Sequence, residues 1–169
     1  FYYNIANQCE NIKVLHSPEY LNNSNPIKMF QGQKFFIIGG DEDAAMKVAH
    51  IFKSRLSHVQ DIRITDIRTA ALVKYGENAF LALRVAFFNE MCLAHAQQGC
   101  ESSYADFAEM LGLDPRIGQS HSQVPGKDGK RGWASHCLTK DNYELQKFSQ
   151  SPLIKFMREL NEVHRNIEE

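Results

Sequence analysis

Apolar and polar positions change their rhythm once along this chain. In the first third the apolar residues come in short runs. "NIKVLHS" (11–17) reads as a β-type run that breaks at Ser17-Pro18, and "QKFFIIGG" (33–40) as a second, closed by Gly39 and Gly40. Between them "NNSNP" is a polar loop with turn chemistry. "DEDAAMKVAHIFKSRL" predicts a helix with acidic residues at its positive end, and "VQDIRITD" predicts a further strand. After Asp66 the runs lengthen. "TAALVKYGENAFLALRVAFFNEMCLAHAQQG" predicts one helix of roughly 30 residues, about 45 Å long. Thr69 or Asp66 caps it and Gly99 ends it. Its middle is apolar nearly all round, which predicts burial in a core or an oligomer interface. "SSYADFAEMLGL" predicts another helix, capped by Ser102 or Ser103. "TKDNYELQKF", capped by Thr139, and "PLIKFMRELNEVHRNIEE", with Pro152 in its first turn, predict two more. The fold class expected is therefore mainly α: an all-α unit over residues 66–169, preceded over residues 1–65 by the C-terminal part of an α/β layer. The loop 118–136 is rich in Gly, Ser, Lys and His, and loops of that length are often functional.

Composition narrows the possibilities. The 169 residues are 43% apolar, enough for a real core, and carry a net charge of −1. That charge gives no reason to expect nucleic acid or an anionic membrane as partner. The run "AFLALRVAFF" is too short to span a bilayer and contains Arg84. Cys9, Cys92, Cys100 and Cys137 form no C-x-x-C pair and no zinc pattern with the seven histidines. Reduced thiols, no metal, no visible signal peptide and a cytoplasmic location are the expectation. The chain starts without Met and ends inside a helical pattern, so it reads as a piece of a longer protein.

Three places hold candidate chemistry. In "RGWASHCLTKD" Cys137 stands just ahead of the helix that Thr139 would cap, with Lys140 and Asp141 close behind. A thiol attacks as thiolate, and helix N-termini and cations favour that form; a lone cysteine is usually a small buried hydrophobe. Lys74 and Asn78 lie i, i+4 on one helix face, either as a solvated stripe or at the mouth of a cleft. Glu19 follows Pro18 at a strand end, where catalytic carboxylates of open α/β sheets often sit and ordinary loop glutamates sit too.

Taken in order, "SPEYL", "IIGG", "LVKYGENAFLALRVAFFNE", "LDPRIG" and "GWASHCLTKD" resemble the UDP-glucose/GDP-mannose dehydrogenase family, from about His16 to the C-terminus. The resemblance implies an NAD-binding Rossmann domain ending at residue 65. A helical central domain, through which members form homodimers, would occupy 66–169, its last helix opening the long connecting helix. The Gly-rich dinucleotide fingerprint would precede Phe1 and a nucleotide-sugar domain would follow. It further implies two-step oxidation of a nucleotide sugar's primary alcohol to a carboxylate, with NAD as cofactor. Cys137 would be the nucleophile, passing through thiohemiacetal and thioester. Lys74 would polarise the reacting oxygen, Asn78 and Asp141 would position water and assist proton transfer, and Glu19 would be the acid/base of thioester hydrolysis. Tyr20, Leu21, Asn22 and Gly132 match substrate-lining positions, as do Lys74 and Asn78, and Arg116 matches an arginine that reaches a partner subunit's site. Lys140 and Asn23 match positions near the cofactor. UDP-glucose is the default substrate, with GDP-mannose and N-acetylated UDP sugars as alternatives. Some positions depart from the family pattern. Trp133 replaces a phenylalanine, Ala134-Ser135 a glycine pair and Leu138-Thr139 a Phe-Pro, while Asn23 and Ala71 stand where glutamates are common. Glycines before the cysteine would allow close backbone approach or positive φ. A non-catalytic dimerisation or binding module built on helix 79–94 is the alternative function.

Overall fold

A computed structural model of the chain describes residues 12–21 and 25–167. In order, the elements are α1 (Pro26–Gly32), β1 (Phe35–Gly39), α2 (Glu42–Arg55), β2 (Asp61–Thr65), α3 (Ile67–Gln97), α4 (Tyr104–Leu111), α5 (His136–Ser149) and α6 (Pro152–Arg165). The protein is mainly helical, as the sequence predicts. Its contacts divide it into two compact units, one up to Lys74 and one from Tyr75 onward.

In the first unit β1 and β2 pair in parallel, from Phe35 opposite Asp61 to Gly39 opposite Thr65, and α2 connects them. Ile38, Ala45 and Ala49 form the core, with Leu15, Val48, Phe52 and Ile62 packed around it. Asp41 caps α2 by accepting from the Ala44 N–H, and Glu42 and Asp43 add negative charge to its first turn. The run 12–16 is not a strand. His16 alone exchanges two backbone bonds with Gly39, at 2.7 and 2.8 Å, forming one antiparallel bridge. The predicted polar loop contains the short helix α1, whose Asn25 cap and Pro26 start are the signals in "NNSNP". Gly39 is required by space, because a Cβ there would lie 2.7 Å from both the Ala70 Cβ and the Asp66 carbonyl.

Helix α3 runs 31 residues. Asp66 starts it, accepting from the N–H groups of Arg68 and Thr69 at 2.9 and 3.0 Å, and Gly99 follows its end with φ +64°. By length and composition alone it is long and apolar enough to cross a membrane. Ala79, Ala82, Ala86 and Phe88 are buried, but Phe80 and Phe87 are 58% and 46% exposed. In this chain the helix is therefore buried along one side and open along another, not buried all round. In the second unit Ala82 and Ala86 meet Trp133, Leu138 and Met157, so α3, α5 and α6 share one core. Ser103 caps α4 and Pro152 opens the first turn of α6, as expected, with Ser151 as the cap of α6.

Several carboxylates are tied to local donors. The Lys13 ammonium holds the Asp41 carboxyl below its ordinary 3.8, and the Thr69 hydroxyl does the same for Asp66. A carboxyl whose folded pKa is depressed stabilises fully above its unfolded pKa and loses that effect as pH falls through the folded value. Thermal melts are expected to show Tm dropping on acidification below about pH 4. Asp66→Ala should lower Tm at neutral pH and flatten that acid dependence.

Candidate active site

The first turn of α5 differs from expectation. Ser135, not Thr139, is the cap, and the Thr139 N–H bonds back to the Ser135 carbonyl. Burial of Leu138 against Trp133, Ala82 and Met157 draws this turn into the helix. Cys137 therefore lies inside the first turn, and its side chain is exposed. The Ser135 side chain makes no capping bond, so the cap residue itself does not cover the helix N-terminus beside the thiol.

One turn on, Asp141 shares the face of Cys137. Only 5% exposed, its carboxylate accepts from Asn78 Nδ2 at 2.5 Å and from Lys140 Nζ. A buried carboxylate without such partners would be costly. The bond to Asp141 raises the Lys140 pKa above its ordinary value, and the neighbouring Asp141, Tyr75 and Cys137 add to the effect. Asn78, Cys137, Lys140 and Asp141 thus fall together around the start of α5.

A second group forms in the first unit. Glu19 is exposed, and its Oε2 accepts from the Leu21 N–H at 2.6 Å. The Lys74 ammonium lies over the Tyr20 ring, 4.8 Å from its centroid, and the same ring meets Phe35. Asn22 and Asn23 lie outside the described residues. Arg116 is held by its own turn: its guanidinium donates to Asp114 at 2.5–3.1 Å, and Asp114 also accepts from the Arg116 N–H.

Residues that the sequence reading passed over hold the loop in front of Cys137. Arg84 makes four bonds to the carbonyls of Ile117, Gly118 and Ser120, at 2.6–3.1 Å. Its isolated charge within an apolar run was the available signal. The Tyr104 hydroxyl is shared between the Phe88 and Ser122 carbonyls, and burial pushes its pKa up. Asn89 and Asn161 bond the backbone of Gly132 and Trp133. Gly132 has φ +70°, whereas neither Ala134 nor Ser135 takes a positive φ, so the missing glycine pair leaves no backbone strain. Trp133 is 6% exposed and part of the core. Trp133→Ala is expected to cost about 3–5 kcal/mol in urea unfolding; Trp133→Phe should cost much less.

The model for the UDP-glucose/GDP-mannose dehydrogenase family, central domain, matches residues 68–165. A UDP-glucose 6-dehydrogenase of Rickettsia bellii is 31% identical over 157 residues, covering 81% of this chain and 35% of that protein. Among solved structures, a UDP-glucose dehydrogenase from Pyrobaculum islandicum superposes with TM-score 0.77 at 28% identity, over 89% of this chain and 34% of the other. A UDP-D-ManNAc dehydrogenase from Pyrococcus horikoshii superposes with TM-score 0.71 at 30% identity, over the same shares. The chain spans about a third of the length of the curated relatives it matches.

Proposed function

The chain belongs to the UDP-glucose/GDP-mannose dehydrogenase family, and on that premise we propose that it supplies the thiol and the proton-handling groups for oxidising a nucleotide sugar's C6 alcohol to a carboxylate. UDP-glucose is the substrate we favour; UDP-N-acetyl sugars and GDP-mannose share the same chemistry. The observation that carries this reading is the exposed Cys137 in the first turn of α5, on one face with an Asp141 carboxylate that Asn78 and Lys140 hold.

In the proposed reaction the Cys137 thiolate adds to the aldehyde carbon to give a thiohemiacetal. Oxidation of that adduct leaves a thioester. Water then attacks the thioester carbonyl, releasing the carboxylate and returning the thiol. Lys74 is assigned the role of polarising the reacting oxygen. Asn78 and Asp141 orient the water and carry its proton, and Glu19 is the acid/base of the hydrolysis. Tyr20, Leu21, Asn22, Arg116 and Gly132 contact the substrate.

NAD, when bound, supplies the hydride acceptor for both oxidations. Lys140, with a half-exposed side chain beside Cys137, fits as a contact to it, and Asn23 is the second candidate. The pyrophosphate does not fit the glycine turn after β1, where Asp41, Glu42 and Asp43 put negative charge on the first turn of α2. We therefore assign this chain only the nicotinamide side of the cofactor.

The open face of α3 suits a second copy of the chain. Phe80 and Phe87, seven residues apart and both exposed, lie on a different side of the helix from the buried Ala79, Ala82 and Ala86. A non-catalytic module would keep this face and lose the chemistry.

With the intact protein, UDP-glucose and NAD should give two NADH per sugar carboxylate formed, and Cys137→Ala should abolish the carboxylate. Absence of turnover with any UDP or GDP sugar would remove the enzyme reading in favour of the module. Mass measurement in solution should give a dimer, and Phe80→Glu combined with Phe87→Glu should give a monomer.

A further inference from the structure

Two buried asparagines grip the peptide that leads to Cys137. Asn161, on α6, is 6% exposed; its Oδ1 accepts from the Trp133 N–H at 2.7 Å and its Nδ2 donates to the Trp133 carbonyl at 3.0 Å. One carboxamide thus satisfies both backbone groups of a single residue, as a neighbouring β-strand would. Asn89, on α3, is 1% exposed. Its Nδ2 is fixed on the Val85 carbonyl at 2.8 Å, which aims its Oδ1 at the Gly132 N–H, 3.1 Å away. Arg165 donates to the Arg131 carbonyl at 3.2 Å and pairs with Asp128 at 2.6 Å. Gly132 completes the fit, because a Cβ there would strike Asn161 and Arg165.

From these contacts we infer that Asn161 and Asn89 are positioning residues for the Cys137 thiol, a role that rests on the proposed reaction. Trp133 is four residues before Cys137. Between them Ala134 and Ser135 are exposed, and the Ser135 side chain contributes no cap. The start of α5 is thus unsupported by its own hydroxyl, and its upstream anchor is the doubly bonded Trp133 peptide. Its downstream anchors are the bond from Asn142 Nδ2 to the Leu138 carbonyl, at 2.7 Å, and the Asn78–Asp141 bond. Removing the clamp leaves the core side chains in place but frees the peptide that aims the thiol. A displacement of about 1 Å at a reacting atom is enough to cost on the order of a hundredfold in rate.

The test compares wild type, Asn161→Ala, Asn161→Asp and Asn89→Ala in the intact protein. For Asn161→Ala, kcat is expected to fall at least tenfold while KM for UDP-glucose stays within threefold, measured where circular dichroism shows both proteins folded. Asn161→Asp keeps the acceptor for the Trp133 N–H and regains the donor only when protonated. Its kcat relative to wild type should therefore rise as pH falls. In hydrogen exchange, the peptide covering 131–137 should speed up in Asn161→Ala and Asn89→Ala, with the remainder of α6 unchanged. An unchanged kcat, or faster exchange spread evenly over α3 and α6, would overturn the positioning role and leave only a structural one. If wild type turns over no nucleotide sugar, the proposed reaction fails; exchange confined to 131–137 would then uphold the clamp itself, and unaltered exchange there would overturn it.

Discussion

The long connection between α4 and α5 has to keep its backbone groups satisfied without helix or sheet, and the second unit is arranged around that demand. Side chains from the helices take the place of a neighbouring strand. Arg84 gathers three carbonyls at one end of the loop, Tyr104 reaches a fourth, and Asn89 and Asn161 close over the other end. Of the polar groups that look misplaced in the apolar helix α3, Arg84 and Asn89 have backbone partners in this loop and Asn78 has a carboxylate partner on α5. A buried amide that finds such a partner stabilises only modestly, by about 1 kcal/mol, but leaving the partner unpaired costs more. The loop and its clamps therefore stand or fall together.

Much of this was legible in the sequence. The long helix, its Asp66 and Gly99 ends, the capping serine of α4, the Pro152 start of α6 and the parallel pair around α2 follow from local rules that need no tertiary knowledge. Two errors share one cause. The run 12–16 has strand composition but among the described residues makes a single bridge, to Gly39, and α5 starts a turn early because Leu138 is claimed by the core. In both cases partners distant in sequence, missing for the first and present for the second, decided the outcome against the local signal. The clamps were illegible for the same reason: Asn161 is 28 residues from Trp133, and nothing in its own neighbourhood marks it.

The candidate site shows a division of labour. Asp141 is buried and doubly bonded, while Cys137 on the same helix face is exposed. A carboxylate fixed by an amide and an ammonium keeps a defined geometry, and an exposed thiol one turn away keeps access to a ligand. Family membership gives that arrangement its chemical meaning, although the chain covers only about a third of its relatives' length.

Trp133 and Leu138 are both buried in one core, and the four residues between them are all exposed. The segment is pinned at each end and unconstrained in its side chains along the middle. Such a window tolerates sequence drift: Ala134, Ser135 and His136 can change size or polarity without disturbing what holds the flanking peptides. Variation in what the site admits beside the thiol can then accumulate here at little cost in stability, and a library randomised at these three positions would explore recognition rather than folding.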